Sequence, residues 1–137
     1  MRGWTYGISL AAAALACGPQ GDAPSSSLLQ QGRQYTAWLY GSQYEKLWNR
    51  FSPDMRQTFG SVADLASFAG TAVTRLGREH GQVDEKVETA SPLRIYSRTS
   101  AFDRSRHKML LEWTMAEDGV VTGLVLRPAL DGESGGD

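Results

Sequence analysis

The spacing of apolar residues changes at Gly81, and this change constrains the fold more than any other feature of the sequence. Before Gly81, apolar side chains recur every three or four residues, as at Tyr44, Leu47, Trp48 and Phe51. That spacing places them on one face of an amphipathic helix. After Gly81, apolar and polar residues alternate, which is typical of strands with one buried face. Helices followed by such strands predict an α+β domain, in which the helices pack on a curved antiparallel sheet of about four strands.

Capping residues place the boundaries of these elements. Ser52 and Ser61 have the positions of N-cap residues, each with an acid in the following helical turn. The sequence predicts helices over residues 28–40, 42–51 and 53–58, and a fourth from residue 62 to Gly77 or Gly81. The predicted strands cover residues 83–89, 93–102, 109–115 and 120–126. The first strand is rich in charge, which predicts that it lies at the edge of the sheet.

Residues 1–16 have the layout of a secretory signal. Arg2 is the only charged residue among them, and an apolar run extends from Ile8 to Ala16, with small residues before Cys17. The run is roughly half the ~20 residues that a membrane-spanning helix requires. We therefore interpret it as a cleaved signal and not as a permanent membrane span.

The segment Ala14-Leu15-Ala16-Cys17 resembles the lipobox of bacterial lipoproteins. The resemblance implies cleavage after Ala16 and attachment of diacylglycerol to Cys17, which then becomes an acylated, for example palmitoylated, N-terminus. Because Cys17 is the only cysteine, an intrachain disulfide is excluded. Gly18 stands where an aspartate would resemble an inner-membrane retention signal, which favours the outer membrane if the host has two membranes. The alternative is an ordinary signal peptide beside an incidental thiol.

The rest of the chain divides into three parts. Residues 17–27 read as a flexible tether, residues 28–130 as one α+β domain, and residues 131–137 as a disordered acidic tail. With 14 basic and 15 acidic residues, the formal net charge is −1. This balance argues against a strongly basic nucleic-acid-binding protein.

Two segments resemble a known family. The first is Tyr44-Glu45-Lys46-Leu47-Trp48 followed by residues 51–55, and the second is the closing hairpin and proline of residues 117–128. Over residues 34–128 the chain resembles a bacterial domain of unknown function of the nuclear-transport-factor-two-like (cystatin-like, cone-shaped) type, which is often found ahead of serine hydrolases. The resemblance implies a cone-shaped fold with a pocket at its open end. Because this fold hosts isomerases, dehydratases and inert binding modules, it does not select a chemistry.

Six aromatic residues are candidates for a pocket lining or for plain core. They come from the predicted helices and from two of the strands, and they are Trp38, Tyr44, Trp48, Phe68, Tyr96 and Trp113. Such residues suit an apolar ligand site and a solid core equally well, so both interpretations stay open.

Three polar residues are candidates for a functional site. Arg98 and Glu112 face each other across neighbouring strands if the register allows, either as a catalytic pair or as a solvated ion pair worth about 0.2–1 kcal/mol. His107 lies in the basic connection of residues 104–108, which is either an ordinary soluble loop or a contact for anionic lipid head groups or an acidic partner. Two separated histidines and one lipidated thiol do not make a zinc site, so we expect no metal and no cofactor.

These observations leave three hypotheses for the function. The first is a lipid-anchored envelope accessory domain that is not an enzyme and that binds a partner protein or a small apolar ligand. The second is a small isomerase- or hydrolase-like enzyme that uses a pocket carboxylate or histidine, with Glu112 or His107 at the pocket mouth. The third is a structural module that forms a homodimer through an apolar patch on the sheet.

Overall fold

The computed structural model of the chain describes residues 24–130. The predicted cleavage site at Ala16, the predicted lipid attachment at Cys17 and the predicted tail over residues 131–137 lie outside the described residues. Four helices precede four strands: α1 Pro24–Tyr40, α2 Tyr44–Trp48, α3 Pro53–Phe59, α4 Val62–Leu76, β1 Glu79–Ala90, β2 Leu93–Phe102, β3 Met109–Met115 and β4 Val121–Pro128.

The four strands form one antiparallel sheet in the order β1-β2-β3-β4, curved but not closed. The prediction of an α+β fold, with helices first and an antiparallel sheet of about four strands, is confirmed. The charged first strand lies at the edge of the sheet, as expected. Sequential hairpins of this kind need only short connections, which is why the strand order follows the chain order.

The ends of two helices differ from the predicted boundaries. Helix α1 begins at Pro24, so residues 24–27 are helical, although the predicted tether extended to residue 27. Helix α2 ends at Trp48, although its apolar spacing predicted a helix through Phe51. The backbone leaves the helix because it pairs with β4: the Val121 amide donates to the Arg50 carbonyl at 2.7 Å, and the Ser52 amide donates to the Val121 carbonyl at 2.9 Å.

The predicted caps hold α3 and α4 in place. The Ser52 hydroxyl accepts a hydrogen bond from the Met55 amide at 3.2 Å, and the Ser61 hydroxyl accepts one from the Asp64 amide at 3.1 Å. Each bond satisfies a donor that a helix N-terminus otherwise leaves unpaired. Helix α4 stops at Gly77, whose φ of 76° lies in the left-handed region that glycine adopts without strain.

Helix α1 lies directly against the inner face of the sheet. Gly32 permits this approach, because a Cβ atom there would lie 2.1 Å from Cγ of Tyr96. One turn later, the Thr36 hydroxyl donates to the Gly32 carbonyl at 2.8 Å and accepts from the Trp113 indole at 3.0 Å. Tyr96 and Trp113 are fully buried. These contacts hold α1 across β2 and β3, and they fill the middle of the space between α1 and the sheet.

The six aromatic candidates therefore separate into groups. Tyr96 and Trp113 belong to the core, while Trp38, Tyr44 and Trp48 are partly buried and pack against it. Phe68 is different: its side chain is 45% exposed and lies against Phe59, with 5.4 Å between the ring centroids. Phe68 thus covers the outside of the α3–α4 pair and does not fill the space above the sheet.

Candidate functional site

A network of charged side chains lies at one end of the interior, on the helix-facing side of the sheet. The Arg98 guanidinium donates to both oxygens of Glu79, with Nη2–Oε1 at 2.5 Å and Nε–Oε2 at 2.9 Å. The Ser100 hydroxyl donates to the same carboxylate at 2.7 Å. Such two-point pairing fixes both the position and the plane of the carboxylate.

A second carboxylate, that of Glu85, continues the network. The Tyr96 hydroxyl donates to Glu85 at 2.5 Å, and Arg98 Nη1 lies 3.6 Å from the same oxygen. On the solvent side, Arg33 of α1 donates to Glu85 from Nη2 at 2.8 Å and from Nε at 3.0 Å. The two carboxylates and two guanidinium groups balance in charge, so the network adds no net charge to the interior.

Strand alternation explains why these residues meet. Tyr96, Arg98 and Ser100 are two residues apart on β2, so they share one face of the sheet. Glu85 lies opposite Arg98 in the register of β1 and β2. An irregularity in β1 between His80 and Asp84 shifts this register. As a result, Glu79, at the start of β1, lies opposite Phe102 and close to Ser100 and Arg98.

The network lowers the pKa values of its two carboxyl groups, those of Glu79 and Glu85. Burial alone would raise the pKa of Glu79, but hydrogen bonds from Arg98 and Ser100 and the charge of Arg98 outweigh it and hold that pKa below its ordinary value. The hydrogen bond from Arg33 is the main cause of the lowered pKa of Glu85. Burial, followed by the hydrogen bond to Glu85, raises the pKa of Tyr96 to about 12.

A pocket of about 350 Å³ opens beside this network. It lies between the end of α1, the end of α4 and the first two strands, and its lining residues are Tyr40, Val73, Gly77, Arg78, Glu79 and Phe102. The Tyr40 and Phe102 rings meet edge to face, with centroids 5.9 Å apart. The volume lies at the lower end of the range of small-molecule sites, which is about 300–1,000 Å³.

The pocket is lined by apolar side chains and by the Glu79 carboxylate, whose charge Arg98 already neutralises. Both Glu79 oxygens accept hydrogen bonds from Arg98, so the carboxylate is held in its ionised form. A general base works best when its pKa lies near the operating pH, and Glu79 is shifted in the opposite direction. The arrangement therefore favours holding a molecule over exchanging a proton with it.

The predicted pair of Arg98 and Glu112 does not form. In the register of β2 and β3, Glu112 lies opposite Ser97, whereas Arg98 lies opposite Leu111. Because neighbouring residues of a strand point to opposite faces, Arg98 faces the helices and Glu112 faces outward. The Ser97 hydroxyl donates to Glu112 at 3.2 Å.

Glu112 belongs to a shallow groove of about 220 Å³ on the outer face of the sheet. The groove is lined mainly by polar side chains of all four strands: Asp84, Lys86, Glu88, Ser97, Thr99, Leu110, Glu112 and Arg127. The largely exposed apolar side chains of the strands are Leu93 and Val125, at 37% and 39%. The outer face of the described sheet is thus not the contiguous apolar patch that a dimer interface would present.

His107 also lies away from the pocket. It is exposed in the connection between β2 and β3, where its backbone amide donates to the Ser105 hydroxyl at 3.3 Å. The other histidine, His80, lies 3.8 Å from an oxygen of Asp103. Within residues 24–130, no group of three or more histidine, cysteine, aspartate or glutamate side chains is placed to hold a metal ion.

Sequence reasoning identified Arg98 and Tyr96 but missed their partners. Glu79 reads in the sequence as part of a charged helix end, and Glu85 reads as one of several edge charges. A signal was present nevertheless: Arg98 lies on the same face of the strand as the aromatic residues Tyr96 and Phe102. A buried arginine needs an acid, and the adjacent edge strand supplies the nearest ones.

No family model, curated protein or solved structure matches this chain. In the part of the chain that the structure describes, no helix is both long enough and apolar enough to cross a membrane.

Proposed function

We propose that this chain is a lipid-anchored accessory domain of a bacterial cell envelope, which binds a small apolar ligand without transforming it. The lipobox-like segment that ends at Cys17 supports the anchor, with the outer membrane as the location in a host with two membranes. The order of helices and strands is compatible with the resemblance of residues 34–128 to the cone-shaped domain of unknown function. Residues 18–23 would then link the lipid to α1.

The proposed binding function rests on one observation: the pocket has apolar lining residues, and its carboxylate, Glu79, is already paired with Arg98. Tyr40, Val73 and Phe102 supply apolar surface, and burial of apolar surface contributes about 25 cal/mol per Å². Glu79 is the carboxylate of the pocket, and Arg98 already satisfies it. An apolar ligand can therefore cover Glu79 without leaving this carboxylate unpaired, which would cost several kcal/mol.

An isomerase- or hydrolase-like enzyme is the less favoured alternative. Catalysis by a pocket acid or base requires a group poised to exchange a proton. The lowered pKa of Glu79 opposes this role, Glu112 lies on the outer face of the sheet, and His107 lies in an exposed connection.

A partner protein or a second copy on the outer sheet face is the other alternative. The groove around Glu112 and Lys86 mixes charges of both signs, and large exposed apolar side chains on this face are scattered. Interfaces between proteins usually have an apolar or aromatic centre. The pocket beside Phe102 therefore supports a binding function better than the outer face does.

Titration with a neutral apolar fluorophore, N-phenyl-1-naphthylamine, tests the binding function. The protein is the chain carrying Cys17→Ser, which removes the proposed lipid and keeps every described residue. We expect saturable enhancement of fluorescence that Val73→Trp abolishes, because the larger side chain fills the pocket. Ser67→Trp, on an exposed part of α4, introduces the same ring elsewhere and should leave binding unchanged. Equal binding by both variants, or none by the parent chain, would refute the proposal.

Mass spectrometry of the N-terminal peptide tests the anchor. After expression of the whole chain in a bacterium, we expect a peptide that begins at Cys17 with diacylglycerol on sulfur and an additional acyl group on nitrogen in hosts that add one. Cys17→Ser should abolish the modification and release the protein from the membrane fraction. An unmodified Cys17 in a cleaved chain would show that the segment is an ordinary signal peptide.

A further inference from the structure

The described chain carries exposed cations that have no acidic partner within residues 24–130, and two of them, Arg78 and Arg104, line the pocket or the depression beside it. These cations come from the end of α4 and from the connection between β2 and β3, and we call them the basic rim: Arg75, Arg78, Arg104, Arg106 and Lys108. All five side chains are exposed. None of them lies within ion-pairing distance of a carboxylate of residues 24–130, in contrast to Arg33 and Arg98.

Backbone hydrogen bonds hold the two halves of the basic rim together. The Arg104 amide donates to the Leu76 carbonyl at 2.9 Å, and the Asp103 amide donates to the Arg78 carbonyl at 2.9 Å. The Arg104 guanidinium reaches back across Gly77 and donates to the Thr74 carbonyl at 3.2 Å. The backbones of Arg78 and Arg104 are therefore held next to each other by the fold.

Helix chemistry explains only some of these cations. A cation at a helix C-terminus is stabilised by the exposed carbonyl groups of the last turn, which accounts for Arg75 and Arg104. Arg78, Arg106 and Lys108 lie beyond α4 and have no such role. Like charges repel one another, so a cluster without counter-charges costs stability unless an anion binds to it.

One residue of the basic rim, Arg78, also lines the apolar pocket. Val73, Gly77 and Arg78 line the pocket and also line a neighbouring depression, which Asp103 and Arg104 complete. Of the acids at this position, Glu79 is neutralised by Arg98, whereas Asp103 lines the depression and lies 3.8 Å from Nε2 of His80, which is charged only when it is protonated. Arg78 lines both the pocket and the depression, and Arg104 lines the depression, so a molecule that projects from the pocket into the depression meets a surface formed by both residues.

We propose that the ligand is an amphiphile with an anionic head group: its apolar part fills the pocket beside Phe102, and its carboxylate, phosphate or sulfate group lies between Arg78 and Arg104. This inference rests on the proposed binding function and names the ligand class for the same pocket. Guanidinium groups are well suited to such heads, because their planar donors match pairs of oxygen atoms.

Calorimetric titration with four amphiphiles of one chain length tests the inference. The ligands are dodecyl phosphate, laurate, neutral dodecanol and cationic dodecyltrimethylammonium, each kept below its aggregation concentration, with the chain carrying Cys17→Ser. We expect the two anions to bind at least about fivefold more tightly than dodecanol, and the cation to bind more weakly. The preference should diminish with added salt, because exposed charges are screened.

Two double variants test whether Arg78 and Arg104 cause the preference for anionic amphiphiles. Arg78→Gln with Arg104→Gln should remove the preference for anions and leave the affinity for dodecanol unchanged. Lys46→Gln with Lys86→Gln changes the net charge equally at exposed positions elsewhere and should keep the preference. Equal affinity for all head groups would overturn the inference and leave the pocket in place, whereas no binding of any ligand would overturn the proposed function itself.

A vesicle experiment distinguishes a free amphiphile from a membrane surface. We expect Val73→Trp to abolish binding of laurate, because the occupant is a single molecule in the pocket. If the protein instead binds phosphatidylglycerol vesicles, and neither Val73→Trp nor saturating laurate weakens this binding, the basic rim acts as a surface patch and the inference is wrong.

Discussion

Arg98 holds Glu79, a lining residue of the pocket, by two hydrogen bonds, at 2.5 Å and 2.9 Å, and thereby neutralises its charge. The pair joins the two strands nearest the pocket and is itself held by Ser100 and Tyr96. Its consequence for function is that the pocket presents a satisfied carboxylate to a ligand. Its consequence for stability is that each partner depends on the other, because an unpaired charge inside a protein is costly.

Arg98→Met should therefore destabilise the fold. The substitution keeps the volume of the side chain but leaves Glu79 without its counter-charge. The free energy of unfolding should fall by about 2 kcal/mol, less than the cost for a fully buried pair because the site is partly open to solvent. Urea denaturation near neutral pH measures the change. Lys46→Met, at an exposed position of α2, should change it by less than about 0.5 kcal/mol, and an equal loss in both variants would contradict the account.

Stability should decrease as the medium becomes acidic. In the folded chain the pKa of Glu79 and that of Glu85 lie below the ordinary value of 4.5, whereas in the unfolded chain both take about that value. The unfolded state therefore binds more protons, so the stabilisation is complete above pH 4.5 and is lost as the pH falls through the lower, folded values. Urea denaturation at a series of pH values from about 6 to about 3 measures this slope.

Two double glutamine variants test whether Glu79 and Glu85 cause this dependence of the unfolding free energy on pH. Glu79→Gln with Glu85→Gln should flatten the dependence of unfolding free energy on pH below 4.5. Glu45→Gln with Glu88→Gln removes the same charge from exposed positions and should leave most of the slope intact. If the two double variants respond alike, other groups govern the acid sensitivity.

Substitution by alanine should have opposite effects on stability at Gly32 and at Gly70. Gly32→Ala places a Cβ atom 2.1 Å from the Tyr96 ring, so α1 must move away from the sheet, with a loss of about 3 kcal/mol. Gly70→Ala, in the middle of α4, meets no atom closer than 3.8 Å and should gain about 0.5 kcal/mol from its higher helix propensity. Thermal unfolding of both variants checks the prediction. A tolerated alanine at Gly32 would show that α1 does not pack as described.

The buried bond between Trp113 and Thr36 supplies a second test of the α1 position. Thr36→Val keeps the shape of the side chain but leaves the Trp113 indole donor unpaired, at a cost of about 1–3 kcal/mol. Thr36→Ser keeps the hydroxyl and should cost less than the valine variant. Denaturant unfolding ranks the variants, and the reverse order would show that the hydroxyl is not the partner of the indole.

Much of the fold was predictable from the sequence because local rules coincide with tertiary packing. The caps at Ser52 and Ser61, the helix end at Gly77 and the alternation of β3 all act within a few residues of their position. The early end of α2 was not predictable in this way. It results from backbone pairing between residues 50–52 and Val121, and no local pattern encodes that long-range contact.

The site was only half predictable for the same reason. The alternation along β2 places Tyr96 and Arg98 on one face of the strand, and both were candidates from the sequence. Choosing Glu79 over Glu112 as the partner requires the strand register, because a shift of one residue reverses the face on which a side chain lies. The sequence leaves that register open.

Mapping a ligand by amide NMR tests the central claim most directly. The isotope-labelled chain carrying Cys17→Ser is titrated with a neutral apolar compound such as N-phenyl-1-naphthylamine. We predict saturable shift changes centred on Tyr40, Val73, Gly77 and Phe102, with little change at Glu112 on the outer face. Shift changes that centre on the outer face, or spectra that do not respond at all, would contradict the account of this domain as a ligand-binding module.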